Sequence, residues 1–459
     1  MRFWPLAAVA AALTAAPAFA ADAIAQTSAA QDSETQESGA LEQANAMQIE
    51  AFGHFQGGRY DEAEALIRRV IAIREPALGP AHRDTLSALN NLALLLQRQA
   101  RYSDAEPLVR SVLARGEEAL GRDHPDTLVT VNNLATLLQS MGRFGEAENL
   151  HMRALAAREE TLGGDHGDTL VSVTNLAKLY MEQGRYAEAE TLYLRGTNGF
   201  EAALGADHPR TLTAIGNLAH LYTLQGRLDE AEQLGLRRFE AGEREHGADH
   251  PETLSALNNL ASIYGLQGRY AEAGALLERS HQTYARSLGE THPNTLIVLG
   301  NIAGLRILQE RYSEAASISR RVLDGQTARL GAEHPSTLTT VSALGILYFK
   351  EERYADAGPL LVRAFESRRR VLGADHPDTL RSMNDTGRLY RQTGALQEAL
   401  GLFETAFRAA RVQFGSDDPL MQRTAANLTE TLLNTTGRAA EAIVLARVLI
   451  EGIRARRGR

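Results

Sequence analysis

Apolar residues along most of this chain return at helical spacing, in two runs separated by a glycine turn. From Pro125, the residues Leu128, Val131, Leu134, Ala135 and Leu138 fall on one face of a helix. Met141-Gly142 ends that run, because glycine takes the left-handed conformation that a helix terminus needs. A second run starts at Arg143-Phe144, places Phe144, Ala147, Leu150 and Ala154 on its inner face, and continues to Leu162-Gly163. No strand-like alternation accompanies it. The pattern predicts a hairpin of two helices.

That hairpin recurs without insertion or deletion over most of the chain. The stretch from Gly121 to Leu128 (GRDHPDTL) leads into Val131-Asn132-Asn133-Leu134-Ala135. Its histidine steps through His82, His124, His166, His208, His250, His292, His334 and His376 at 42-residue intervals, with Asp418-Pro419 at the ninth step. A fixed period of this size marks stacked units that touch only their neighbours. Small residues keep the same register. One alanine recurs in the first helix (Ala93, Ala135, Ala177, Ala219, Ala261, Ala303), and another in the second, from Ala63 and Ala105 through Ala189 to Ala399. Side chains of that size let helices approach while Leu, Tyr and Phe fill the space around them.

Leu134-Ala135 with Leu138, then Gly142-Arg143-Phe144, then Ala147 and Ala154 resemble the tetratricopeptide repeat. The long unit, with DHPDTL, NLA and QGRY in order, is similar to the kinesin-light-chain form of it, and the resemblance runs from Leu41 to the C-terminus. It implies an all-α fold, a right-handed superhelical solenoid of about ten hairpins. It also implies that the first helices line a concave groove and that the partner held there is a protein or peptide. Ala440 to Arg457 is expected to cap the array.

Composition adds bounds. Apolar residues make up 44% and charged residues 23%, as in a folded soluble protein. A net charge of −9 argues against a nucleic-acid partner, which needs a basic stripe. The absence of cysteine excludes disulfides, thiolate metal sites and cysteine nucleophiles. At the N-terminus, Arg2, the apolar stretch from Leu6 to Ala16 and Ala18-Phe19-Ala20 read as a secretory signal over residues 1–20. The run is broken by Pro5 and Pro17 and is short for a membrane span, so the mature chain is expected to be exported, periplasmic or secreted, with no integral span. Residues 21–40, rich in Ala, Ser, Gln and Glu, read as a disordered linker, and 41–459 as the array.

Three repeated features are candidates for chemistry. The histidines lie one to a unit, so they cannot converge on a metal, and the His-Pro turn reads as a helix start, with either Asp123 or His124 as its cap. They are expected to bond across to the adjacent repeat. Arg143/Glu146, Arg185/Glu188, Arg227/Glu230 and Arg269/Glu272 read as a solvated helix edge. The third feature is an asparagine ladder: Asn91, Asn133, Asn175, Asn217, Asn259 and Asn301, with Asn132 and Asn258 beside it. Asparagine is a mediocre helix former, so its repetition wants a reason. The resemblance implies hydrogen bonds from these amides to the backbone of an extended peptide, centred on the earlier repeats. An internal role, tying each helix to the next repeat, is equally open and compatible. A carboxylate clamp is not expected, since Ser87, Val129, Val171, Thr213, Ser255 and Ile297 stand where Lys and Arg would be needed.

No phosphate loop, HExxH, GxSxG or GxGxxG occurs, so no enzyme, cofactor or metal is expected. The reading is a protein-interaction scaffold. Its alternatives are an accessory or sensor subunit of a separate protease or signalling enzyme, and a self-associating structural protein.

Overall fold

The computed structural model describes residues 33–414, 418–435 and 437–447. The expected signal segment, residues 21–32 and the end of the expected cap lie outside the described residues. Helices pair along the chain: α1 (Ser33–Gln56) with α2 (Tyr60–Leu78), α3 (Arg83–Arg98) with α4 (Tyr102–Ala119), and α5 (Pro125–Ser140) with α6 (Phe144–Leu162). Next come α7 (Gly167–Glu182) with α8 (Tyr186–Leu204), α9 (Pro209–Gln225) with α10 (Leu228–His246), and α11 (Pro251–Leu266) with α12 (Tyr270–Leu288). The series ends with α13 (Pro293–Leu308) and α14 (Tyr312–Leu330), α15 (Pro335–Lys350) and α16 (Tyr354–Leu372), α17 (Pro377–Gln392) and α18 (Leu396–Phe414), and α19 (Pro419–Leu433). Residues 439–447 are helical and complete a tenth hairpin. The first helix begins at Ser33 rather than Leu41, so the end of the stretch read as linker is helical.

The histidine, not the aspartate before it, starts each first helix. His124 Nδ1 accepts the Asp126 backbone N–H at 3.2 Å, and the equivalents from His82 to His376 do the same. This fills one orphan donor of the helix N-terminus and fixes the tautomer, because an accepting Nδ1 leaves the proton on Nε2. Asp418 takes over at the last step, accepting from Leu420 and Met421. The threonine three residues after the cap ties the unit backward: Thr169, Thr211, Thr253 and Thr295 donate to the carbonyls of Gly163, Gly205, Gly247 and Gly289 at 2.8–2.9 Å.

The alanine registers are the tightest points of the stack. Ala63, Ala105, Ala147, Ala189, Ala231, Ala273, Ala315, Ala357 and Ala399 are all fully buried. Where the first-helix alanine gives way to Gly387, a Cβ would come within 2.7 Å of the Phe403 ring, so the smaller residue admits the larger neighbour. Ala189→Leu is therefore expected to overpack the α7/α8 contact and cost about 1–3 kcal/mol, read as a lower melting temperature.

First helices pack on the first helices of neighbouring hairpins (α3 on α5, α11 on α13, α17 on α19), whereas successive second helices meet mainly through exposed ion pairs such as Arg195–Glu159 and Arg237–Glu201. The layer of first helices is thus the crowded, inner one, and the stack curves around it. The curvature brings the chain back onto itself. His334 Nε2 donates to the Arg98 carbonyl at 2.9 Å and His376 Nε2 to the Ser140 carbonyl at 3.2 Å, each across 236 residues. Arg329 donates to Gly57 O and Gln413 to Gly142 O, and the Phe144 and Phe414 rings lie 6.0 Å apart. The expectation of a bond to the adjacent repeat is corrected here: these histidines reach a hairpin about one superhelical turn away, since small rotations per unit add up. We call this contact line the seam. Burial and the Asp378 carboxylate together push the Tyr102 hydroxyl up to about 12.

Candidate partner-binding groove

The inner wall is built from α3, α5, α7, α9, α11 and α13, and it carries the asparagine ladder. Burial divides that ladder. Asn91 and Asn301 are 8% and 6% exposed, and Asn132 and Asn258, one position earlier in their helices, are 7% exposed. These four are packed between neighbouring helices and are removed from the set a partner could touch. Asn132 is internal in its bonding too: its Oδ1 faces His151 Nδ1 at 3.3 Å and its Nδ2 donates to Ser172 Oγ at 3.4 Å. Asn133 is half-buried but donates to Asn90 Oδ1, and Asn90 donates to Thr130 Oγ1. The ladder is thus partly the internal tie between repeats that the sequence left open.

Asn175, Asn217 and Asn259 differ. They are half-buried, lie at equivalent places in α7, α9 and α11, and make no side-chain hydrogen bond within the described residues. Three amides with free donors and acceptors, one to a hairpin, line the same wall. Each offers what a peptide unit can pair with.

Beneath the wall lies a buried polar network that sequence reasoning missed. His151 on α6 is fully buried, and its Nδ1 donates to Asn132 Oδ1 while Nε2 has no partner. Arg158, 5% exposed, donates to Ser172 Oγ at 2.7 Å and to the Asp168 carbonyl. Burial, with Lys178 close by, holds the His151 pKa down at about 4. His151 occurs in one unit only, so the period gave no signal for it.

The Arg–Glu pairs are more than a solvated edge. Arg143, Arg185, Arg227 and Arg269 bond their own-helix glutamates and also reach back to Glu106, Glu148, Glu190 and Glu232 of the preceding hairpin at 2.7–2.8 Å. Three of these guanidiniums also lie over tyrosine rings, Arg185 over Tyr180, Arg227 over Tyr222 and Arg269 over Tyr264, at 3.7–3.9 Å. One arginine per unit therefore clamps two hairpins and the end of a first helix. Half-exposed pairs of this kind contribute under about 1 kcal/mol each, so their repetition sets spacing more than stability.

Among the described residues no group of His, Asp and Glu converges as a metal site, and no helix is long and apolar enough to cross a membrane.

The tetratricopeptide repeat model matches residues 42–118, 86–160, 126–198, 168–241, 217–273, 252–328 and 336–411. The chain belongs to the tetratricopeptide repeat family. No curated protein matches it. Among solved structures it is similar to a Podosopora anserina kinesin light chain of nearly identical repeats, at 28% identity over 45% of this chain and 98% of that one, with a TM-score of 0.39. It is also similar to BtubC from P. vanneervenii, at 21% identity over 56% and 92% of the two chains, with a TM-score of 0.39. The Rap protein complexed with competence and sporulation factor shares 13% identity over 82% and 99%, with a TM-score of 0.51. This tetratricopeptide array is an interaction scaffold by family.

Proposed function

We propose that the protein is a non-catalytic, exported scaffold that holds an extended segment of a partner protein against the α7–α9–α11 wall. The observation that carries this is the row of Asn175, Asn217 and Asn259, accessible and unbonded within the fold, one to a hairpin along the groove. Recognition would rest on backbone hydrogen bonds, with side-chain pockets between hairpins adding selectivity. The Rap protein, of like fold, was solved with competence and sporulation factor, which supports the reading at the level of fold. Export rests on the N-terminal pattern of residues 1–20.

The test is capture of a partner from the source organism's exported fraction by wild type and by Asn175→Ala/Asn217→Ala/Asn259→Ala. At about 0.5 kcal/mol or more for each lost bond, affinity is expected to fall at least roughly tenfold with unchanged helicity. Equal capture by both proteins would place binding elsewhere.

A further inference from the structure

The seam joins two edges of the superhelix. One edge is formed by the glycine turns inside hairpins, the other by the His-Pro turns between hairpins. Within the chain they meet four times in one register. Gly58 lies against Pro293, Arg98 against His334, Gly142 against His376 and Pro377, and Gly184 against Pro419 and Asp418. The turn of each hairpin therefore receives the His-Pro turn that follows the fifth hairpin after it.

Ten hairpins exhaust only part of each edge. On the His-Pro edge, the turns at His82, His124, His166, His208 and His250 have no hairpin over them among the described residues. The side chains of His82 and His124 are 38% exposed, and that of His166 47%, whereas His292 in the seam is 8% exposed as a residue. Pro125, Pro209 and Pro251 are exposed, while their equivalent Pro377 is buried. Leu162 and Leu204, which precede two of these free turns, are 37% and 40% exposed, yet Phe414, at the same place in the unit, packs on Phe144. The glycine-turn edge shows the reverse. Gly58 and Gly142 are buried in the seam, and Gly226, Gly268, Glu310, Glu352 and Gly394 are exposed. Each free edge thus repeats the surface that its counterpart already covers inside the molecule.

We propose that a second copy of this chain stacks on the first through these edges, so that the superhelix continues from one chain into the next. Keeping the seam register seats His82 of the incoming copy on the turn at Gly268, His124 at Glu310, His166 at Glu352, His208 at Gly394 and His250 at Gly437. The substitutions along the edges fit this pairing. Ala100, which carries a Cβ at the turn position, receives His334-Pro335 in the seam, so a non-glycine residue such as Glu310 is compatible with a His-Pro turn. Glu352 is matched with His166-Gly167, a unit that lacks the proline ring. The two edges differ, so the contact is head-to-tail and does not close on itself, and chains rather than a symmetric dimer result.

Sedimentation velocity of the full chain over a concentration series tests this, with Leu162→Glu/Leu204→Glu blocking one edge and Gly394→Leu the other. Wild type is expected to rise from monomer mass, roughly doubling at the first step, and each variant alone to remain monomeric. An equimolar mixture of the two variants is expected to form dimers and nothing larger, because one intact edge of each kind is present. Wild type that stays monomeric throughout overturns the proposal, as does a variant that associates as wild type does. The two leucines are exposed, so circular dichroism should match wild type. Should Gly394→Leu fold poorly, the leucine pair alone decides.

Discussion

Between pH 6.5 and about 4, the array is expected to lose roughly 3 kcal/mol of stability through His151 alone. The side chain is neutral in the fold because burial penalises its charge and Lys178 adds to the penalty. The neighbours offer no relief: Asn132 and Ser172 are neutral, Arg158 is cationic, and Nε2 has no acceptor for a second proton. The folded pKa is therefore depressed relative to the unfolded chain, which binds the proton first as pH falls. The stabilisation is complete above 6.5, declines as pH drops through 6.5 toward the folded value near 4, and declines no further below it. His292, His334 and His376 are shifted in the same direction by burial, His376 with Asp378, Arg381 and Arg368 around it, so the seam also weakens as pH falls below 6.5. Asp378, held near 2 by Arg381 and Arg368 against its own burial, gives way only at lower pH. Melting temperatures measured across this range should fall steeply for wild type. His151→Gln keeps a donor for Asn132 but cannot titrate, and its curve should be visibly flatter. A slope unchanged by that substitution would remove His151 as the cause.

The hairpin, its period and its tight alanine contacts were legible because they are written in local spacing: Leu128 to Leu138 on one face, Ala189 at the same step in each unit. The cap was half legible. Asp123 and His124 both have side chains that can accept, and only the geometry of Nδ1 against the Asp126 N–H chooses between them. The arginine clamp was misjudged because the glutamate three residues on is visible in sequence, while the second, 37 residues back, matters only once hairpins stack. The asparagines divide for a similar reason. Asn91 and Asn175 share a register position, and the neighbouring side chains decide which is covered. The seam was not legible at all. It depends on the rotation accumulated over several hairpins, and no pair of residues 236 apart announces it.

Gly142→Leu is expected to open that seam, at a cost of about 2–5 kcal/mol if the hairpins were to stay together. Two terms add. Gly142 has φ +73, where a side chain costs about 1–2 kcal/mol. A Cβ there would also stand 2.7 Å from Pro377 Cδ and 3.1 Å from His376 Cδ2, and overpacking of that kind costs about 1–3 kcal/mol. The second term can be escaped by separating the two layers. What is given up is the His376–Ser140 bond, the Gln413–Gly142 bond and the Phe144–Phe414 contact, each a single interaction on one edge. Separation relieves the overpacking without disturbing the inside of any hairpin, and the last hairpins are expected to swing away from the first without unfolding. Gly226→Leu supplies the control. Its φ is +77 and nothing lies within 4 Å of the added Cβ, so it bears the conformational term and no other. Small-angle scattering should give a larger radius of gyration for Gly142→Leu than for Gly226→Leu or wild type, with equal helicity in all three. Identical scattering curves for the two variants would mean that the layers are not held together at this turn. A larger radius for Gly142→Leu alone would show that the groove is bounded by a contact which one added side chain can break, and therefore one that a partner's binding energy can also open.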